Sequence, residues 1–244
     1  MNPYFDFTNI SQLPVSPYTI TMCLSFVAAA VVVFLYLRRI KIPADQVICF
    51  LFLVTLLMIF GAKLNSFLTS KDAKSLLLAG FSGVGGALGV LLGTFIFGLI
   101  RKDIQKDIFN SQAVALPLLY GISKLGCFFV GCCRGIPYSG PFYVKYAEPS
   151  HDTFYFFPQQ LAESLTFIVI FFVLLKKANK SSENIMGYTV ILCCLAKFAL
   201  DFLREVHVNE IVSINQICCL VIAVITIIVL KIIKNRSAKS DSAV

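Results

Sequence analysis

The chain has 244 residues, 58% of them hydrophobic and 14% charged, with a mean hydropathy of +0.83 and a formal net charge of +8. That composition excludes an ordinary soluble domain. The positive charge does not point to nucleic acid, because it sits between apolar segments instead of forming a basic face, so no nucleic-acid partner is expected.

Residues 1–16 are polar, carry no basic residue, and lead through Pro14 and Pro17 into the first apolar run. They read as an outer N-terminal segment; without a basic start they are not expected to be a cleaved signal peptide. Apolar periods then predict seven helices, over 17–37, 46–69, 75–100, 111–133, 158–175, 186–204 and 211–233. Runs of about 18 or more apolar residues are long enough to span a bilayer. Arg38, Arg39 and Lys41 follow the first run, Arg101, Lys102 and Lys106 the third, and Lys176, Lys177 and Lys180 the fifth. Lys231, Lys234, Arg236 and Lys239 follow the seventh, so 13 of the 21 basic residues fall on one side. The positive-inside rule makes that side cytoplasmic. The expected fold is an all-α membrane protein, one polytopic domain over residues 1–244, with seven transmembrane helices, the N-terminus outside and the C-terminus cytoplasmic.

Three segments stand out along the chain. The third run contains G-F-S-G-V-G-G-A-L-G (80–89), which reads as a close-packing helix surface or a break lining a cavity. Residues 134–157 form the longest expected loop, outer and aromatic, read as a flap at the membrane boundary or an aromatic belt. Residues 234–244 read as a polar, disordered cytoplasmic tail. The nine cysteines all fall in or beside apolar runs and are read as small apolar residues in helix contacts. Cys127-x4-Cys132-Cys133 has no nearby histidine and no second C-x2-C, so no metal is expected.

The chemistry lies in charges placed within apolar runs. Lys63, Lys124, Lys197 and Arg204 each lie in such a run or at its end. A charge near the bilayer centre costs about 2.5–3.5 kcal/mol on insertion scales, so a set of them points to a bound anion, most simply a lipid phosphate. Lys197, Asp201, Arg204 and Glu205 are spaced to share one helix stripe, which also permits ion pairs that fix helix register. Arg134 follows Lys124 at the outer end of the fourth run, while Gln159, Gln160 and Glu163 enter the membrane together at the start of the fifth. S-I-N-Q (213–216) opens the seventh run as a polar cap or lining. His151 and His207 fall in outer loops and are candidate bases at the surface.

At these segments the chain resembles the prolipoprotein diacylglyceryl transferase family over roughly residues 45–233. V-G-G-A-L-G-V (84–90) is similar to the family's H-G-G-L-I-G-V, and K-L-G-C-F-F-V-G-C-C-R-G (124–135) to R-I-G-N-F-I-N-G-E-L-x-G. P-Q-Q-L-A-E-S-L (158–165) resembles P-S-Q-L-Y-E-A-L, and D-F-L-R-E (201–205) with S-I-N-Q (213–216) resembles E-F-F-R-x-P-D with S-M-G-Q. Val84 replaces a histidine, Lys124 and Lys197 replace arginines, Cys127 replaces an asparagine and Cys132 a glutamate.

The resemblance implies a bacterial cytoplasmic (inner) membrane enzyme without a cofactor. It would transfer a diacylglyceryl group from phosphatidylglycerol to the lipobox cysteine of a prolipoprotein. Lys124, Arg134, Lys197, Arg204, Gln160 and Lys63 would then bind the phospholipid phosphate, and Glu163, Asp201, Glu205, His151 and His207 would be the candidate catalytic residues. The replaced positions also suit a paralogue that binds phospholipid and modifies another acceptor or none. Seven helices with buried charges suit a membrane transporter as well.

Overall fold

The computed structural model describes residues 17–69, 75, 82–147, 153–180, 184–208 and 210–241. Each expected apolar run holds one helix among these residues: α1 (Pro17–Arg39), α2 (Ala44–Thr69), α3 (Gly83–Ile100), α4 (Gln105–Val130), α5 (Gln159–Lys180), α6 (Ile185–Asp201) and α7 (Ile214–Asp241). Four stretches are long and apolar enough to cross a membrane: Pro17–Arg39, Ala44–Leu68, Lys102–Val130 and Ile214–Ile232. α6, at 17 residues, is shorter than these stretches, and α5 carries Glu163, Lys176, Lys177 and Lys180. Large apolar side chains such as Ile222, Ile225, Ile228 and Val229 on α7 are about half exposed, which suits a lipid-facing surface better than an aqueous one.

The helices fall into two compact units, one drawn from Met1–Ala29 and Ala113–Val244, the other from Ala30–Gln112. In the second unit the glycines of α3 set the packing. Gly85, Gly89 and Gly93 recur every four residues and so share a face. That face lies against α2 so closely that a Cβ at Gly85 would stand 2.2 Å from the Gly61 carbonyl oxygen, and one at Gly89 2.1 Å from that of Leu57. This is the small-residue seam by which helices approach in lipid. Ser82 caps α3: its hydroxyl faces the Gly85 N–H at 3.4 Å and accepts from Asn65 Nδ2 at 2.6 Å. The glycine-rich run is thus a packing surface over its described part.

The first unit joins the C-terminal part of α4 to α5, α6 and α7. Where a loop was expected at 134–157, the chain forms an antiparallel hairpin, β1 (Val144–Ala147) with β2 (Thr153–Phe156), pairing Val144 with Phe156 and Lys145 with Tyr155. The segment is rich in aromatic and β-branched residues, which favour strands. Phe128, Val144 and Phe156 form a small buried cluster that fastens the hairpin to the end of α4. The turn between the strands, which includes His151, lies outside the described residues, as does the N-terminal segment 1–16.

Two further expectations change. The segment from 234, read as disordered, continues α7 to Asp241; no glycine or proline interrupts K-N-R-S-A-K-S-D, so the apolar helix propagates into it. α6, expected to run to residue 204, ends at Asp201. The backbone beyond it is captured by the segment after α4: Ile136 N–H donates to Leu203 O at 2.9 Å, and Glu205 N–H to Arg134 O at 3.2 Å. Arg204 and Glu205 therefore do not continue the helical stripe of Lys197 and Asp201.

Candidate functional site

The first two turns of α5 turn polar side chains inward. Gln159, Gln160, Glu163 and Ser164 are all at most 3% exposed. Glu163 is the hub of a cluster: its Oε2 lies 2.7 Å from Lys124 Nζ of α4 and its Oε1 2.5 Å from Lys197 Nζ of α6. Tyr120, one turn before Lys124, donates its hydroxyl to Oε2 at 2.9 Å. Gln159 Nε2 donates to Leu200 O at 2.6 Å, holding the end of α6 against α5.

Asp201 is the second carboxylate and is fully buried. Lys197 Nζ is 3.7 Å from its Oδ1 and Arg204 Nη1 3.4 Å. Ser213 donates its hydroxyl to Oδ2. S-I-N-Q (213–216) is a capping box: the Gln216 N–H donates to Ser213 Oγ at 3.2 Å, and the Ser213 N–H to Gln216 Oε1 at 3.0 Å. That sequence thus starts α7 and presents a hydroxyl to Asp201 with the same residue.

The charges in this cluster do not cancel. Three cations (Lys124, Lys197 and Arg204) face two carboxylates (Glu163 and Asp201). Buried ion pairs are tolerated when hydrogen bonds complete them. The surplus positive charge favours one further anion, and Arg204 carries it to the surface. Arg204 lines an open cavity of about 620 Å³ with Cys132, Cys133, Arg134 and Glu205.

One wall of the cavity is the turn that ends α4. Gly131 adopts φ 73° and Cys133 φ 57°, both left-handed. The Cys132 N–H donates to Cys127 O at 3.1 Å. A left-handed glycine followed by this six-to-one bond is a Schellman termination, with Cys127 and Cys132 in the positions whose side chains meet. Gln160 Nε2 donates to Cys132 O at 2.6 Å, and Arg134 Nε to Gly131 O at 3.0 Å, pinning the turn. Gly135 is close-packed: a Cβ there would lie 2.4 Å from Phe157 O.

The structure thus brings together Lys124, Glu163, Lys197, Asp201 and Arg204, and sets Arg134 and Glu205 at the cavity. It places Gln160 on the backbone of the turn. His207, half-buried, has Nε2 3.6 Å from Asp201 Oδ2 and Nδ1 2.9 Å from Glu210 O. Lys63 lies half-buried on α2 in the other unit, and His151 lies outside the described residues. Tyr120 was missed by the sequence reading. Its signal was the four-residue spacing to Lys124, which put a hydroxyl on the lysine's face of α4.

Apolar helices around a buried, cation-rich centre that opens to a cavity define a multi-pass membrane protein with an anion-attracting site. The chain belongs to the prolipoprotein diacylglyceryl transferase family, whose model matches residues 6–232. It is also 27% identical over 133 residues to the phosphatidylglycerol–prolipoprotein diacylglyceryl transferase of Clostridium tetani (strain Massachusetts / E88), covering 51% of this chain and 52% of that protein. The chain thus spans about half the length of the curated relative it matches. Its family is one of transferases.

Proposed function

We propose that the protein transfers the diacylglyceryl group of phosphatidylglycerol to the lipobox cysteine of a prolipoprotein in a bacterial cytoplasmic membrane. On this reading all seven helices span the bilayer with the N-terminus outside. The single observation that carries it is the surplus cation at the cavity, three fixed positive groups against two buried carboxylates. A phosphodiester supplies the missing negative charge, and the phosphate monoester that leaves carries more, so the same cations stabilise the developing charge.

In this proposal Arg204 and Arg134 contact the phosphate from the cavity wall, while Lys124 and Lys197, held by Glu163, sustain the field behind them. Asp201 orients Arg204. Glu205 faces the same cavity and takes the proton of the acceptor thiol. The thiol sulfur then attacks the glyceryl carbon that carries the phosphate, and glycerol phosphate leaves with the electrons of the broken C–O bond.

The test is incubation of the purified protein with phosphatidylglycerol and a lipobox peptide, read by mass spectrometry. The expected product is the peptide heavier by one diacylglyceryl group. Phospholipid binding without that product would instead support a second reading, a lipid-binding paralogue with another acceptor, which the replacement of family residues by Val84, Cys127 and Cys132 favours.

A further inference from the structure

The cysteines at the cavity have no part in the scheme above, yet the fold gathers them. Cys127, Cys132 and Cys133 place their three sulfur atoms all within 4.8 Å of one another. Two separate devices produce this. The Schellman bond from Cys132 N–H to Cys127 O stacks the first pair across the helix end. The left-handed φ of 57° then turns Cys133 back toward them. A non-glycine residue there costs roughly 1–2 kcal/mol, and the Gln160 and Arg134 bonds hold the turn in that form. Cys132 and Cys133 also line the cavity, so the group is accessible from the side where substrate would enter.

Three thiols at this spacing match one chemistry well. In a tetrahedral zinc site, bonds of about 2.3 Å set sulfurs about 3.8 Å apart, so small side-chain rotations would close the observed group around an ion. Three protein ligands with a fourth position left open is the pattern of a reactive zinc site, not a purely structural one.

We infer that Cys127, Cys132 and Cys133 bind a zinc ion whose fourth position takes the acceptor thiol. This rests on the transfer reading above for its role, though not for the binding itself. A thiol that coordinates zinc is bound as thiolate, so the ion would activate the nucleophile directly. The acceptor S–H proton passes to Glu205, which lines the same cavity. The zinc-bound sulfur attacks the glyceryl carbon, the C–O bond breaks, and glycerol phosphate leaves as the anion. The thioether product is a weak ligand and departs, leaving the three-cysteine site open. No oxidant or reductant is consumed. Spacing along the chain, from which no metal is expected, does not show the left-handed turn that closes the group.

The test uses the full-length protein purified in detergent under reducing conditions. Elemental analysis is expected to find one zinc per chain, and X-ray absorption to show three sulfurs at about 2.3 Å. Cys127→Ser, Cys132→Ser and Cys133→Ser should each weaken zinc binding by more than about 100-fold, since loss of a mere outer partner already costs 10–100-fold. Cys193→Ser, on α6, should leave it unchanged. In the cobalt-substituted protein, a lipobox peptide should alter the sulfur-to-cobalt charge-transfer bands, and its Cys→Ser analogue should not. A wild-type zinc shell of nitrogen and oxygen alone, no retained zinc, or a disulfide among the three cysteines in protein taken from cells would overturn the site. Those readings come from wild-type protein, so misfolded variants do not blur them. Undiminished transfer after zinc is stripped would overturn the activating role. Zinc bound as described, with the peptide-dependent spectrum but no lipid transfer, would support the site and refute the proposed function instead.

Discussion

Glu163 lies at the middle of the charge cluster, and Glu163→Gln removes its charge with little change of shape. Its carboxylate is 1% exposed and sits 2.7 Å from one ammonium and 2.5 Å from another. Removing one partner of a buried pair leaves an uncompensated charge and costs about 3–5 kcal/mol. For a chain of this size each kcal/mol moves Tm by about 2–4 °C, so a fall of roughly 6–20 °C is expected. Circular dichroism of the helices follows the unfolding.

The same variant makes a second, opposite prediction. It leaves three cations facing Asp201 alone, so the attraction for an anion grows. One unit charge at roughly 8 Å and an effective dielectric of about 20 contributes about 2 kcal/mol, or some thirtyfold in affinity. Phosphatidylglycerol should therefore raise Tm more in the variant than in the wild type. Diacylglycerol, which has no phosphate, should not make that distinction. A variant as stable as the wild type, or one stabilised equally by phosphatidylglycerol, would refute the view that Glu163 restrains a phosphate-attracting cluster.

Other perturbations separate charge from geometry. Arg204→Lys keeps the charge but loses the planar fork that reaches Asp201 and the cavity; it should weaken phosphatidylglycerol binding about tenfold, measured by titration in detergent. Gly85→Ala and Gly89→Ala place a Cβ 2.2 Å and 2.1 Å from backbone oxygens of α2; each should cost about 1–3 kcal/mol in thermal unfolding. Ser213→Ala removes both the α7 cap and a hydroxyl donor to Asp201; a loss of about 2 kcal/mol is expected, and Ser213→Thr should recover most of it.

The helices were legible because apolar periodicity is local, and each of the seven runs does contain a helix among the described residues. The site was legible in part. Lys124, Glu163, Lys197, Asp201 and Arg204 announced themselves by the energetic cost of charge in an apolar run, and all five meet. What the sequence hid was non-local backbone pairing. Nothing within L-D-F-L-R-E says that Leu203 and Glu205 will bond to Ile136 and Arg134, which is why a single stripe through Glu205 was expected. The hairpin at 144–156 was hidden because aromatic residues serve equally in a strand and at a membrane boundary. Tyr120 went unnoticed because its spacing to Lys124 gains meaning only with the partner on α5, Glu163.

The differences from the family's motifs acquire meaning once they are placed in space. Lys124 and Lys197, which stand where arginines are found in the family, both bind the one carboxylate of Glu163. Cys127 and Cys132, which stand for an asparagine and a glutamate, belong to the one thiol group at the end of α4. Four of the five replacements fall into two sets, each internally consistent, and Val84 belongs to neither. The first keeps charge and gives up the arginine fork, which a lysine point charge held by Glu163 can do while still opposing a phosphate. The second exchanges oxygen and nitrogen donors for sulfur, which alters what can be bound, not merely how strongly. Lys124 and Cys127 lie three residues apart on one helix, so both sets are presented at the same end of α4. The positive charge is thus kept in kind, while the groups at the end of α4 differ in chemistry. Combining Cys127→Asn with Cys132→Glu should leave phosphatidylglycerol bound, because Lys124, Lys197 and Arg204 are untouched. It should abolish zinc retention; a loss of lipid binding with zinc retained would contradict this division of the site.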